Sequence, residues 1–119
     1  MARYENVRGY LDCDFEELDT IRGIVAGYGS RAVEFQLGKD VLDLYLSGWV
    51  YQPKEINWVA HAFFGASMRP EGSAMVLDVV STIAERLPEV EGRFFVDDEE
   101  GSVSARWCIA DGVVTVTSE

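Results

Sequence analysis

Residues 103–117 read VSARWCIADGVVTVT, two runs rich in β-branched and apolar residues on either side of Asp111-Gly112. An Asp-Gly pair favours a type I′ turn, because both central residues then take positive φ and the backbone twist suits a two-residue hairpin. The segment therefore predicts a β-hairpin. A third run of mostly apolar residues, at 92–96, precedes it and predicts another strand. The predicted strands are 92–96, 103–109 and 113–117, with an acidic turn at 97–101 between the first two.

Two helices are predicted upstream of these strands. Asp14 stands three residues before Glu17, a capping-box spacing, and apolar residues then recur at steps of three and four over 15–28. Pro70 suits the first turn of a second helix. That helix carries one apolar stripe and must end before Pro88, which cannot continue it.

The rest of the chain favours strands. Apolar and polar residues alternate near the N-terminus and again before the second helix, which is the period of a half-buried strand. The most apolar stretch is expected to be a central strand covered on both faces. The additional predicted strands are 7–13, a hairpin of 32–37 with 41–46, the short 49–51 and the central 57–64.

Length and composition favour one domain. The chain has 119 residues, of which 48% are hydrophobic, enough to bury a core without metal or disulfide. Cys13 and Cys108 are expected to be free thiols packed in that core. We predict an α+β fold over 1–119: a curved, mostly antiparallel sheet of five to six strands with two helices packed on one face.

The charge balance restricts the partners. The chain has 21 Asp and Glu against 10 Lys and Arg, a formal charge of −11. Such a chain is repelled by nucleic acid and by anionic membrane surfaces, so neither is expected to bind directly, and a basic protein is favoured. No apolar run approaches the length of a membrane span, and the N-terminus lacks the pattern of a signal peptide, so we expect a cytoplasmic protein. The sequence does not determine its oligomeric state.

Motifs for catalysis, cofactors and metals are absent from the sequence. His61 is the only histidine, and no partner for a catalytic triad or a metal site is indicated by spacing, so a packed histidine with one hydrogen bond is expected. The acidic turn does not match an EF-hand, and the glycines do not form a phosphate-binding loop. We therefore expect no enzyme, cofactor or metal site.

Carboxylates and aromatic residues are the candidate partner-binding groups. Two acidic clusters each lie beside a strand that carries a glycine, and 7–17 and 90–100 share these positions at identical spacing. If those strands are neighbours, about nine carboxylates converge on one rim and steer a cationic protein. The alternative is an acidic surface that only confers solubility. The candidates are Asp12, Asp14, Glu16, Glu17, Asp19, Asp97, Asp98, Glu99 and Glu100, with Trp49 and Tyr51, beside Trp58, as aromatic anchors or core residues.

Several short motifs carry a family resemblance. They are Gly-Tyr-Leu-Asp-Cys-Asp-Phe-Glu-Glu-Leu at 9–18, Gly-Trp-x-Tyr at 48–51, Ile-Asn-Trp at 56–58, Phe-Phe-Gly at 63–65 and Glu-Gly-x-Phe at 91–94, followed by an Asp-Glu turn and Trp107. In order and spacing the chain resembles small acidic bacterial immunity proteins of polymorphic and contact-dependent growth-inhibition toxin systems. The resemblance implies a protein that binds a cognate toxin domain, often a nuclease.

Two other functions are compatible with the sequence. An acidic inhibitor or nucleic-acid mimic, for example one encoded by a phage, would use the same charge against another nucleic-acid enzyme. A small ligand-binding or enzymatic domain would instead need a pocket between sheet and helices that holds polar groups near His61 or Tyr45.

Overall fold

The computed structural model describes residues 4–100 and 103–118. Within these ranges the chain forms three α-helices and six β-strands, with two short 3-10 turns at Tyr28–Ser30 and Val33–Phe35 between the first two helices. The elements in chain order are β1 (Glu5–Cys13), α1 (Phe15–Gly27), α2 (Lys39–Leu46), β2 (Trp49–Tyr51), β3 (Ala60–Met68), α3 (Pro70–Arg86), β4 (Glu91–Asp98), β5 (Val103–Ala110) and β6 (Val113–Ser118).

All six strands belong to one antiparallel sheet in the order β2-β3-β1-β4-β5-β6. Side chains of one face are buried against α1 and α3, as Val7 and Leu11 of β1 show. On the opposite face, which we call the open face, Arg8 of the same strand is exposed. The predicted α+β class is confirmed, with three helices in place of the expected two.

A row of aromatic side chains crosses the buried face of the sheet. Phe94 of β4 is fully buried, and its ring lies 5.5 Å from that of Trp107 and 6.1 Å from that of Trp49. Trp49 also lies 5.1 Å from Phe64 of β3. Gly9 lies between Phe64 and Phe94 in the sheet, and because it has no side chain, it leaves room on the buried face for these rings and that of Trp49.

The two glycines in the repeated sequence pattern have matching structural roles. Gly9 of β1 lies opposite Phe94 of β4, and Gly92 of β4 lies opposite Leu11 of β1. A Cβ added at Gly9 would come within 2.7 Å of the Phe94 Cα atom, and one added at Gly92 within 3.0 Å of the Leu11 Cα atom. Each glycine therefore makes room for a large residue of the neighbouring strand, which gives the shared spacing a packing reason.

Several predicted elements are confirmed. The capping box is present, with the Asp14 side chain accepting the Glu17 N–H at 2.7 Å and the Glu17 side chain accepting the Asp14 N–H at 2.9 Å. Helix α3 begins at Pro70. Asp111 and Gly112 have φ of 54° and 79°, as a type I′ turn between β5 and β6 requires.

The predicted hairpin at 32–46 is wrong. Residues Val33–Phe35 form a 3-10 turn and Lys39–Leu46 form helix α2. Leu42 and Tyr45, three positions apart, are buried, while Leu44 is 67% exposed. The Tyr45 hydroxyl accepts the Arg69 N–H at 3.1 Å, which joins α2 to the start of α3. Helical spacing thus uses the same apolar residues that the alternation assigned to a strand.

The predicted central strand at 57–64 is displaced and covered on one face. β3 begins at Ala60, and Ala60, Ala62 and Phe64 are buried, whereas His61 and Phe63 lie on the open face. Because β3 pairs with β1 and β2, it lies next to the edge of the sheet.

Candidate protein interface

The two acidic clusters lie at opposite ends of the sheet. β1 and β4 are neighbours, but they run antiparallel, with Asp12 opposite Glu91 and Glu5 opposite Asp98. Glu91 and Asp98 are seven positions apart along β4, roughly 23 Å of strand. The two strands are neighbours, which was the condition for nine carboxylates to converge on one rim, but because they run antiparallel that convergence does not occur.

A different set of carboxylates gathers where β1 ends and β4 begins. Asp12 and Asp14 reach this point along β1, and the start of α1 adds Glu16 and Glu17. The antiparallel register adds residues that the sequence pattern did not single out, because strand order is needed to place them. We call this region the acidic end: Asp12, Asp14, Glu16, Glu17, Glu89, Glu91 and Asp111.

Carboxylates at the start of α1 divide into two kinds. Asp14 and Glu17 form the capping box and stabilise the first turn of the helix. Glu16 and Asp19 are exposed, Asp19 one turn further along. Negative charge is favourable at a helix N-terminus, so the fold tolerates this concentration of carboxylates. Glu16 and Asp19 are therefore the residues of this group that can be changed without removing the cap.

His61 links the acidic end to the loop that follows β2. The Gln52 Oε1 atom accepts the backbone N–H of His61 at 2.8 Å and lies 3.0 Å from its Nδ1 atom. On the other side of the ring, Nε2 lies 2.8 Å from Asp12 Oδ1. The Gln52 oxygen is an acceptor, so its contact with Nδ1 is a hydrogen bond when Nδ1 carries a proton, whereas the Asp12 Oδ1 atom lies close to Nε2 without accepting a hydrogen bond. His61 is thus half-buried on the open face between Gln52 and Asp12, not packed in the core.

The loop between β2 and β3 ends in a tight hairpin turn. Ile56 and Val59 exchange backbone hydrogen bonds of 2.9 and 3.2 Å, and Asn57 and Trp58 between them have φ of 52° and 71°. Trp58 is 85% exposed and Ile56 63%. Because β3 begins at Ala60 opposite Cys13, the last residue of β1, this turn extends past the acidic end. We call residues 56–59 the hairpin tip.

Of the aromatic candidates, Trp49 is buried in the core and Trp58 is exposed at the surface. Trp49 is 6% exposed and lies in the aromatic row of the core, so its assignment as a partner anchor is wrong for this structure. Tyr51 is half-buried; burial raises its pKa to about 12, and the Arg22 guanidinium lies 4.9 Å from its ring centre. Trp58, the third member of the group, is the exposed one.

The second acidic cluster is partly used within the fold. Asp97 is buried, and the Arg8 Nη2 atom donates to its Oδ2 atom at 2.9 Å. This hydrogen bond lowers the pKa of Asp97. Its assignment to partner binding is therefore corrected. Glu99 and Glu100 are exposed, and Asp98 accepts the Glu100 N–H at 3.0 Å.

A groove of about 230 Å³ lies on the open face above the acidic end. Tyr10, Asp12, Glu91, Arg93 and Cys108 line it. It lies across β1, β4 and β5, not between sheet and helices where a ligand-binding domain was expected to hold its pocket. Among residues 4–100 and 103–118, no group of three or more His, Cys, Asp and Glu side chains is placed to hold a metal ion.

The two free cysteines are expected to differ sharply in reactivity. Burial, followed by the nearby carboxylates of Glu17, Asp14 and Asp12, raises the pKa of Cys13 to about 12, whereas Cys108 is exposed on the open face. At pH 8 Cys13 is therefore almost entirely in the thiol form, whereas the thiolate is the reactive form. A disulfide reagent such as Ellman's should modify one thiol rapidly in the native protein and both after denaturation. Cys108→Ser should remove the rapid phase; loss of that phase in Cys13→Ser instead would contradict the assignment.

Comparisons of the chain with protein-family models, curated proteins and solved structures find no match. Among the described helices, none has both the length and the apolar character needed to cross a bilayer. The geometry and chemistry of the surface are therefore what indicate its function.

Proposed function

We propose that this chain is an immunity protein that binds and neutralises a cognate toxin domain, basic and of nuclease type, in the cytoplasm. The observation that carries the proposal is the acidic end with the exposed apolar hairpin tip beside it. Protein interfaces combine an apolar centre with a polar rim, and this surface offers both within one end of the fold.

Electrostatics explains how such a surface would act on a nuclease. A nuclease groove is basic because it binds phosphate, and a charge of −11 creates a field that attracts such a groove from a distance. Attraction of this kind raises the association rate, whereas buried apolar contacts set the dissociation rate. The acidic end would then occupy the toxin's groove or substrate path in place of nucleic acid.

The proposal is tested first by reading the genes beside this one for a large secreted protein with a variable C-terminal domain, and by co-expressing that domain, the toxin domain, with this chain. The expected result is that this chain restores growth and co-purifies with the toxin domain at one to one. If the partner found is instead a host nucleic-acid enzyme, and the chain has no effect on the toxin domain, the protein is an acidic inhibitor of the phage type and the immunity proposal is wrong.

Charge reversal at the acidic end should slow capture of the toxin domain. Each Glu→Lys replacement adds two charges, so Glu16→Lys with Glu91→Lys takes the net charge from −11 to −7. We expect the association rate at low salt to fall about tenfold, with little change at high salt, because screening already removes the attraction there.

A matched control separates position from total charge. Asp40→Lys with Glu100→Lys also gives −7, but these residues lie on α2 and beyond the opposite end of β4. Stopped-flow association with the toxin domain should slow much less for this pair. Equal slowing by both pairs would mean that net charge alone steers binding and that the acidic end has no special part in it.

A further inference from the structure

We propose that Trp58 is the anchor of this interface and that its indole inserts into a concave apolar pocket on the toxin domain, with basic residues around the pocket rim. This inference rests on the proposed function and names the contact that would hold the complex together. It arises from three properties of the hairpin tip: its backbone conformation, its exposure and its surroundings.

The backbone at Trp58 is unfavourable for a bulky residue. With φ of 71°, Trp58 occupies the second central position of a type I′ turn, where glycine is preferred, while Asn57 at the first position suits the turn. Large side chains are disfavoured in this conformation by contact between Cβ and the backbone. The chain therefore loses stability by placing Trp rather than Gly at this position.

Packing against the described residues 4–100 and 103–118 recovers little of that loss. Trp58 is 85% exposed, so its indole gains little from packing inside the protein. Local strain at an exposed residue is characteristic of binding sites, where the free energy is recovered on complex formation. Tryptophan is also the residue type most enriched among those that dominate binding energy at interfaces.

The backbone that carries Trp58 is closed into a defined turn. The paired hydrogen bonds between Ile56 and Val59 close the turn, and His61, which follows it, contacts Gln52 and lies beside Asp12 of β1. A side chain on such a turn requires less ordering of the backbone on binding than one on a mobile loop. The exposed side chains of Ile56 and Val59 add apolar area beside it.

The surroundings of the tip determine which occupant fits. Glu55 precedes the tip and the acidic end lies beside it, so the partner surface must carry positive charge around its apolar pocket. A second copy of this chain would bring another charge of −11 to the contact, and an anionic membrane would repel it. A basic protein domain is the occupant that satisfies both the charge and the shape.

The test is Trp58→Gly, which gives opposite results for a binding role and a structural role. Glycine suits the turn, so the urea midpoint of unfolding should stay the same or rise. Affinity for the toxin domain should nevertheless fall at least about 30-fold, mainly through faster dissociation. The matched control is Val33→Ser, which removes another highly exposed apolar side chain, 91% exposed on a different part of the surface, and should leave affinity unchanged.

Fluorescence supplies an independent readout. Trp49 and Trp107 are 6% and 4% exposed, so acrylamide quenching of the free protein reports chiefly on Trp58. Addition of the toxin domain should protect Trp58 from quenching.

Three results would overturn the inference while leaving the immunity proposal standing. They are unchanged affinity of Trp58→Gly, continued quenching of Trp58 in the complex, and a lower urea midpoint for the variant. A wild-type dimer that Trp58→Gly dissociates would assign the tip to a second copy and also overturn it. Absence of any wild-type binding to the toxin domain would overturn both proposals.

Discussion

Gly92→Val is expected to lower the free energy of unfolding by at least ~3 kcal/mol, a large share of the 5–15 kcal/mol typical of a domain, and in many conditions to prevent folding. A Cβ at this position would fall on the backbone carbonyl oxygen of Tyr10 and lie 3.0 Å from the Leu11 Cα atom. Because these are backbone atoms of the neighbouring strand, the clash cannot be relieved by a change of rotamer. β1 and β4 would have to separate at the centre of the sheet.

Gly65→Val is the control for this prediction. Gly65 also lies within a strand of the same sheet, but a Cβ there would meet no atom within 4 Å, since it would point out from the open face. Valine favours strands, so stability should stay within about 0.5 kcal/mol of the wild type or rise. Urea unfolding followed by circular dichroism measures both variants. Similar losses for both would show that flexibility, and not the close approach of β1 and β4, is what Gly92 provides.

Gly9 and Gly92 show what the sequence could and could not provide. Their matching positions in 7–17 and 90–100 were visible in the sequence, and the two strands are neighbours in the sheet, which the sequence left open. The direction of pairing was not visible. Antiparallel pairing places Asp12 beside Glu91, while Asp98 lies at the opposite end of β4, beside Glu5. The carboxylates therefore form two separate groups and not one large acidic rim.

Local signals that depend on backbone chemistry were reliable. The Asp14 capping box, Pro70 at the start of α3 and Asp111-Gly112 at a type I′ turn each follow from hydrogen bonding or φ preferences of a few neighbouring residues. Apolar alternation at 41–46 was ambiguous, because Leu42 and Tyr45 share a helical face as readily as neighbouring positions alternate in a strand. Packing of Tyr45 against the start of α3 resolves that ambiguity, and no local signal contains it.

The residues of the candidate interface also include some that local sequence indicates and some that only the fold identifies. Trp49 and Tyr51 lie in β2, whereas Trp58 lies in the turn of the hairpin tip, so composition could name the aromatic group but not its exposed member. Asn57-Trp58 also lacks the glycine that marks most type I′ turns, which hid the hairpin tip from inspection of the sequence.

Phe94→Ala is expected to be the most costly substitution of a single core side chain, lowering the free energy of unfolding by 3–5 kcal/mol, a range of about the size measured for buried phenylalanines. The Phe94 ring is fully buried and contacts Trp49 and Trp107, which come from β2 and β5 on either side. Its removal leaves a cavity that Gly9, directly opposite, has no side chain to fill. The aromatic row that spans the sheet would then lose its central member.

Phe95→Ala is the matched control, because Phe95 is the next residue of β4 and lies half-buried on the open face between Arg8 and Arg106. We expect it to cost at most about 1 kcal/mol by urea unfolding, since less apolar area is withdrawn from water there. The pair also separates stability from binding. Phe94→Ala should weaken capture of the toxin domain only to the extent that it unfolds the protein, whereas substitutions at the acidic end should slow capture by a fully folded one. Equal costs for the two phenylalanines would mean that the open face is covered in solution, and the surface available to a partner would have to be assigned again from that result.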